Sequence, residues 1–413
     1  MKWKTPRGIR DIPPEEYQKM LDLLDLFREL CQIYGFQIME PATLEFFETL
    51  SLKSGEDIKN EIYEFLDKGG RHIGLRFDLT VGITRYVVGR PEIPKPIKLG
   101  AYSIQWRYDE PQRGRYRSFY AWDIEIYGGD TRISAIETIQ FANDMLFKSG
   151  LKNFYIYLSD RNLVENILTK KFKVKNPINI MKIMDKWGKK DEDWIRNMFI
   201  NEGVNKETAD EIITFFFIDK DENRFAEEKT TLYDIRDILK NDLNINNVAI
   251  NPGIVRGLDY YDGIVFEIKR SERALTLVGG GSYTTLVKLF GGNFTAFGAA
   301  GGVERLLMEI YRETDGERSG VYVIPIKFEY LNHVITIVSK LRKEGIRSEY
   351  PISHRNIDRH VKYAVEKGYK YIVFIGEKEI KQQELTVKDV ESGIEETLDL
   401  SELVKKIRKH VRS

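Results

Sequence analysis

The chain has 413 residues, 42% of them hydrophobic and 12% aromatic, enough for two or three cores at typical domain sizes. Its 64 basic and 64 acidic residues cancel, so bulk charge gives no argument for nucleic-acid binding and leaves that to local basic surfaces. The single cysteine, Cys31, excludes an internal disulfide and a cysteine-built zinc site, and the five histidines show no metal-ligand spacing. No apolar run approaches the roughly 20 residues of a membrane span, and MKWKTPRGIRDIPPEEY lacks the apolar stretch of a secretory signal. The expectation is a cytoplasmic protein with no structural metal.

Residues 15–34 carry apolar side chains at helical spacing, with Gly35 where a helix would stop. Strand-like segments follow, FQIMEPATLEF and EIYEFLDKGGRHIGLRFDLT, the second with DKGG as a hairpin turn. Thr80–Val88 opens a helix before the proline-rich RPEIPKPIK. Two strands, IKLGAYSIQWRYDE and FYAWDIEIYGG, are joined by the polar loop PQRGRYR, and a helix over Thr131–Lys148 precedes a strand at Asn153–Leu158. From about 165 to 242 the chain turns Lys-, Asn- and Asp-rich and helical in pattern, as an insertion would. Strand signals return in VAINPGIVRGLDYYDGIVFEI, followed by the glycine-rich LVGGGSYTTL and FGGNFTAFGAAGGVERLL. Past a boundary near ETDGERSG, strands alternate with helices, the mark of a small α/β domain. The expected division is residues 1–320 and 321–413.

Several of these segments hold residues that packing does not require. In WRYDEPQRGRYRSFY, Arg107 stands at a strand end and Arg113, Arg115 and Arg117 in the loop. The planar guanidinium suits phosphate, although an arginine-rich loop is equally compatible with a solvated surface. In LRFDLT, Asp78 and Thr80 sit two apart and would share one face of a strand, either as an amine site or as a sheet edge. Glu125 alternates with Ile124 and Ile126, so it faces away from them, into a cavity or into solvent. GAAGGVER allows close backbone approach before Arg305, but it is no phosphate loop: it lacks both GxxxxGK[ST] and a strand–GxGxxG–helix unit. IVRGLDYYDGIVFEI places Arg256, Asp259, Tyr260, Tyr261 and Asp262 beside an alternating strand, with Gly257 and Gly263 able to bend the backbone.

Taken in order, these segments resemble the class II aminoacyl-tRNA synthetases, and among them the histidyl-tRNA synthetase family. TPRGIRDIPPEE resembles the family's opening signature, and YGFQIMEPATLE the first class motif, with Pro41 at the position associated with a homodimer interface. WRYDEPQRGRYRSFYAWDIEIYG resembles the second motif and FGAAGGVERLL the third. IVRGLDYYDGIVFEI and LVGGGSYTTLV resemble segments characteristic of the histidine enzyme, and residues 321–413 its anticodon-binding domain. The resemblance implies an α+β catalytic domain on an antiparallel sheet of six or seven strands, a helical insertion and a C-terminal α/β anticodon-binding domain. It implies ligation of L-histidine to tRNA(His) through a histidyl-adenylate, with ATP as substrate and Mg²⁺ on its phosphates.

By the same resemblance, Arg107 holds the ATP α-phosphate and the substrate carboxylate, with Asp109 and Tyr116 in the same loop. Arg305 packs on the adenine and reaches the terminal phosphates, while Arg256 is the catalytic arginine beside the α-phosphate. Asp78 and Thr80 bind the histidine α-amino group, Glu125 and Tyr261 read the imidazole, and Tyr260 and Tyr283 line the pocket. The sequence departs from the family text in four places: Ala121 for a glutamine, Ser282 and Thr284 around Tyr283 for Arg and Asp, and Asp262 for a threonine. The rival implied by these departures is the synthetase-like regulatory subunit of ATP phosphoribosyltransferase, a non-enzyme. The rival's family usually lacks a domain like 321–413 and has no need of Arg107, Arg256 and Arg305. Lys362, Lys367, Lys370, Lys405, Lys406, Arg408, Lys409 and Arg412 crowd the helices of the last domain, a pattern equally compatible with solvated helix ends, and the resemblance implies that they contact tRNA phosphates.

Overall fold

The computed structural model describes residues 3–52, 56–112, 114–219, 231–256, 260–272, 274–310, 318–353 and 356–411. Arg113, Gly257, Asp259 and Arg412, singled out in the sequence, lie outside these residues. The chain forms two compact units, Met1–Glu313 and Thr314–Ser413.

The first unit begins with the helix Pro14–Tyr34. Proline suits its first turn because the missing N–H would be unpaired there anyway, and Glu15 and Glu16 favour the positive end of the helix dipole. Gly35 ends it in the left-handed region at φ 73°. One stripe, Met20, Leu23, Phe27, Leu30 and Cys31, is buried. That stripe packs with Trp122, Ile124, Ile126, Phe141 and Met145 into the main core on one face of an eight-stranded sheet.

Across that sheet the strands run Gln37–Ile38, Ile97–Trp106, Ser118–Tyr127, Ala296–Gly302, Val278–Ser282, Ile264–Lys269, Tyr155–Asp160 and Val248–Ile250. The five inner pairings are antiparallel. Each edge pairing is parallel, Gln37–Ile38 on Ile97–Trp106 and Val248–Ile250 on Tyr155–Asp160. The sheet thus has eight strands where six or seven were expected, and a short strand stands at each margin. Each edge pair is joined by a long connection, mostly helical before Val248–Ile250 and carrying the strands Leu44–Phe46, Glu64–Leu66 and His72–Leu75 before Ile97–Trp106, and a parallel pair needs such a crossover.

Alternation along Ser118–Tyr127 decides where the site lies. Trp122, Ile124 and Ile126 enter the main core, whereas Tyr127 belongs to a second core on the opposite face, with Tyr260, Tyr261, Tyr283 and the helices Thr80–Val88 and Thr284–Leu289. A three-stranded sheet, Leu44–Phe46, His72–Leu75 and Glu64–Leu66, flanks it. Its DKGG turn forms as expected, Asp67 accepting the amides of Gly69 and Arg71 at 2.9 Å each. One expectation fails here: Asp78 and Thr80 share no strand, because the strand ends at Leu75. The Asp78 carboxylate accepts the Val81 amide at 3.0 Å, which turns the chain into the helix that Thr80 opens.

Between Tyr155–Asp160 and Val248–Ile250 lie the helices Arg161–Lys170, Pro177–Met184, Glu192–Asn201, Lys206–Ile213 and Thr231–Asp237, with no strand among the described residues. Asp160, Asp191 and Asn205 cap three of them by accepting first-turn amides, as short polar side chains do. The second unit carries a five-stranded sheet in the order Ser348–Glu349, Val321–Pro325, Tyr371–Ile375, Leu385–Asp389 and Glu395–Leu398. The helices Leu331–Lys343 and Leu400–Val411 contribute Val334, Val338, Leu341, Leu403 and Ile407 to its core.

Candidate active site

A cavity of about 160 Å³ opens beside the loop after Trp106, lined by Arg107, Asp109, Tyr116, Arg256 and Arg305 together with Ala121, Gly279 and Gly302. All five residues expected to meet the nucleotide or its α-phosphate therefore meet in one place. Each is held by its own contacts. Arg107 donates Nε to the Phe77 carbonyl at 2.9 Å, leaving the outer guanidinium nitrogens over the Phe119 ring. The Asp109 carboxylate receives Arg115 Nε at 2.6 Å, which fixes the loop, and Arg10 lies 4.2 Å over Tyr116. Arg305 donates to the Thr276 carbonyl at 3.2 Å. Burial, then Arg107 and Arg115, lower its pKa, the mark of arginines crowded around space for an anion. Burial and Asp109 push the Glu61 carboxyl up to about 7.

Behind this cavity the structure gathers Asp78, Thr80, Glu125, Tyr260, Tyr261 and Tyr283, all buried. Glu125 lies on the sheet face away from Ile124 and is buried, so it does not face solvent. Thr80 Oγ1 donates to its Oε1 at 2.7 Å and Tyr283 Oη to its Oε2. Tyr260 Oη reaches Asp78 Oδ2 at 3.3 Å. Burial pushes the Glu125 carboxyl up to about 8 and raises Asp78 as well. Buried carboxyls that resist ionisation are stabilised by a partner that brings positive charge or hydrogen-bond donors.

The glycine-rich runs are strands rather than turns, and they are glycine for space. A Cβ on Gly298, directly opposite Glu125 in register, would lie 1.5 Å from Glu125 Oε2. A Cβ on Gly279 would lie 1.5 Å from Arg256 Nη1. Removing two side chains from adjacent strands is what lets an acid and an arginine lie flat on the sheet.

Arg256 has left-handed backbone at φ 54°, unusual for a side chain of this size. Arg161 secures that turn by donating Nη1 to the carbonyls of Val255 and Arg256, the latter at 2.9 Å. The Arg256 guanidinium lies 5.3 Å from the Tyr261 ring and 3.3 Å from Glu267 Oε1, and Lys269 Nζ is 2.6 Å from Glu267 Oε2. Although burial raises the Glu267 pKa, Arg256 and Lys269 outweigh it and the net shift is downward.

Three of the four departures explain one another. Asp262 receives Ser282 Oγ at 2.9 Å, the Thr284 amide at 3.2 Å, and both the amide and hydroxyl of Thr285. It thereby clamps the start of the helix Thr284–Leu289, next to Tyr283. Against the family text that the chain resembles, acid and threonine have exchanged places between the two segments. Ala121 has no such partner and lines the cavity. Sequence reasoning missed Glu267, Arg161 and Asp123. Asp123 carried a signal, standing two residues before Glu125 on the same strand and hence on the same face, as did Glu267, which alternates with Phe266 and Ile268; Arg161 carried none.

A family model described as histidyl-tRNA synthetase matches residues 8–306, and one described as anticodon binding domain matches residues 320–410. The histidine–tRNA ligase of Pyrococcus furiosus is 33% identical across 96% of this chain and 97% of its own. That of Pyrobaculum aerophilum is 32% identical across 96% and 97%. Among solved structures, histidyl-tRNA synthetase from Nostoc sp. PCC 7120 shares the fold at TM-score 0.81 and 21% identity, covering 99% of this chain and 100% of that one. The apo Staphylococcus aureus enzyme follows at TM-score 0.70 and 23% identity, covering 98% and 100%. With two thirds of its length matched by the one model and most of the remainder by the other, the chain belongs to the histidyl-tRNA synthetase family.

Proposed function

We infer that the two adjoining pockets divide one reaction between them: ATP in the arginine-lined cavity, histidine in the buried acidic pocket behind it. The chain is a histidine–tRNA ligase, and the adenylate is the intermediate that this arrangement favours. The observation that carries the assignment of sites is the meeting of Arg107, Arg256 and Arg305 in one cavity bordering the Asp78–Thr80–Glu125–tyrosine group.

The histidine carboxylate is already ionised at neutral pH, so its attack on the α-phosphate needs no general base. It needs alignment with the leaving diphosphate and neutralisation of the charge that builds on the phosphoryl oxygens. Arg107, anchored through Nε, keeps its outer nitrogens for the carboxylate and α-phosphate. Arg256, propped by Glu267 and Arg161, approaches the same phosphate from the loop before Ile264–Lys269. Arg305 serves the adenine and the terminal phosphates, and Mg²⁺ arrives on the phosphates of ATP itself. Asp78 and Thr80 take the α-ammonium, Glu125 and Tyr261 the imidazole, and Tyr260 and Tyr283 hold the two acids in place. A site that hydrogen-bonds its ligand rejects apolar isosteres by roughly 10⁴–10⁵, so no editing domain is required.

Residues 321–413 recognise the anticodon, and the protein works in the cytoplasm as a homodimer. The small sheet supports the dimer: it leaves Phe46 56% and Leu66 68% exposed, with Leu44 and Phe65 beside them, just after Pro41. Among the described residues no helix is long and apolar enough to cross a membrane. Histidine-dependent ATP–pyrophosphate exchange is the direct test. Absence of exchange in the full chain, with binding to an ATP phosphoribosyltransferase, would install the regulatory reading instead.

A further inference from the structure

Asp123 is 1% exposed and sits in the middle of the site, yet it has almost nothing to hold. Its Oδ2 meets only the Thr80 hydroxyl, at 3.4 Å, and its Oδ1 has no hydrogen-bond partner among the described residues. The neighbouring acids are committed. Asp78 takes the Val81 amide and the Tyr260 hydroxyl, and Glu125 takes Thr80 and Tyr283. On the adjoining strands the residues paired with Asp123 are Ala101 and Ala300, whose methyls can neither satisfy the carboxylate nor fill the space beside it. Burial, then Glu125 and Asp78, hold the Asp123 carboxyl well above the usual carboxylate range, so it ionises only when a cation comes to it.

The strand sets where that cation would be. Ala121, Asp123 and Glu125 leave one face at successive steps of about 7 Å. Glu125 marks the imidazole end and Ala121 lines the ATP cavity. An amino acid laid along this face, side chain toward Glu125 and carboxylate toward the arginines, puts its α-carbon and α-ammonium near Asp123. Ala121 offers no group of its own to the amine.

We propose that Asp123 is the principal anionic seat for the α-ammonium of the histidine substrate, with Asp78 and Thr80 in support, an inference that rests on the assignment of pockets above. Specificity for an α-amino acid, as distinct from specificity for the imidazole, is then vested in this one carboxylate.

The test uses the full chain and compares histidine with imidazolepropionate, the same molecule without its amine, as a competitive inhibitor of histidine-dependent exchange. In Asp123→Asn the KM for histidine rises about 10- to 100-fold, the worth of one charge-assisted hydrogen bond. The KM for ATP and the inhibition constant of imidazolepropionate stay close to wild type, so the preference for the aminated ligand collapses. Asp123→Ala, which fits beside Ala101 and Ala300, gives the same pattern and provides a second variant should the asparagine fail to fold. Equal weakening of both ligands in both variants means that Asp123 only maintains the pocket's shape, and overturns the proposal. So does an unchanged preference. Failure of the wild-type chain to exchange would instead refute the assigned function, and the two failures are separately readable.

Discussion

Exchanging Asp262 and Thr284 tests whether the departures around Tyr283 form one compensated unit. Asp262 is half-buried and accepts two backbone amides and two hydroxyls, from Ser282, Thr284 and Thr285. In Asp262→Thr the first turn of the helix Thr284–Leu289 loses its acceptor. A lost cap costs about 1 kcal/mol and each side-chain bond about 1 kcal/mol more, so about 2–3 kcal/mol is expected. Thr284→Asp alone sets a second carboxylate against the first and disturbs the Ala296 amide contact at 3.3 Å, for about 1–2 kcal/mol. In the double exchange the new aspartate meets the new threonine, so the two effects should fall short of their sum by about 1 kcal/mol or more. Urea unfolding followed by tryptophan fluorescence reads this cleanly, because all five tryptophans, Trp3, Trp106, Trp122, Trp187 and Trp194, lie in the first unit. Additivity within about 0.5 kcal/mol would refute the coupled clamp and leave the substitutions as independent drift.

Three further outcomes follow from the same geometry. Gly279→Ala places a methyl against the Arg256 guanidinium on a strand paired on both sides, so the arginine must leave. Exchange should fall about 100-fold, while histidine affinity by calorimetry stays near wild type; a normal rate would remove Arg256 from its assigned role. The raised Glu125 pKa means that the folded protein keeps a proton which the unfolded chain has lost. Its effect is fully present below about pH 4.5 and is surrendered as pH rises through about 8. Glu125→Gln should therefore gain stability over wild type between pH 5 and 8, and a difference independent of pH would contradict the burial argument. Ending the chain after Glu313 should weaken tRNA charging far more than pyrophosphate exchange, and equal losses would argue against a separate recognition domain.

The helix Pro14–Tyr34, the hairpin at Asp67–Gly70 and the alternation of Ser118–Tyr127 were legible in the sequence because each is a local matter of periodicity and turn chemistry. Glu125 could be placed on a face, but its burial could not, because alternation gives direction and not what stands opposite. Asp78 and Thr80 were misplaced onto a strand since the period of two also fits a capped turn, and only the Val81 amide distinguishes them. The glycine-rich GAAGGVER was legible as a place of close approach, but only the structure shows that it and VGGGS are strands whose missing side chains admit Glu125 from the neighbouring strand and Arg256 from a loop.

The sequence by itself determined the order of motifs, the family they resemble and the residue types its chemistry requires, since these are properties of spacing along the chain. Tertiary structure alone decided which of them meet. Cross-strand register set Gly298 against Glu125 and Asp123 against two alanines that offer its carboxyl no partner, while the packing of helices and loops on the sheet set Arg161 against the carbonyl of Arg256 and Asp262 against Thr285. Such pairings join residues tens to hundreds of positions apart, and no local pattern encodes a contact that exists only once the sheet has closed.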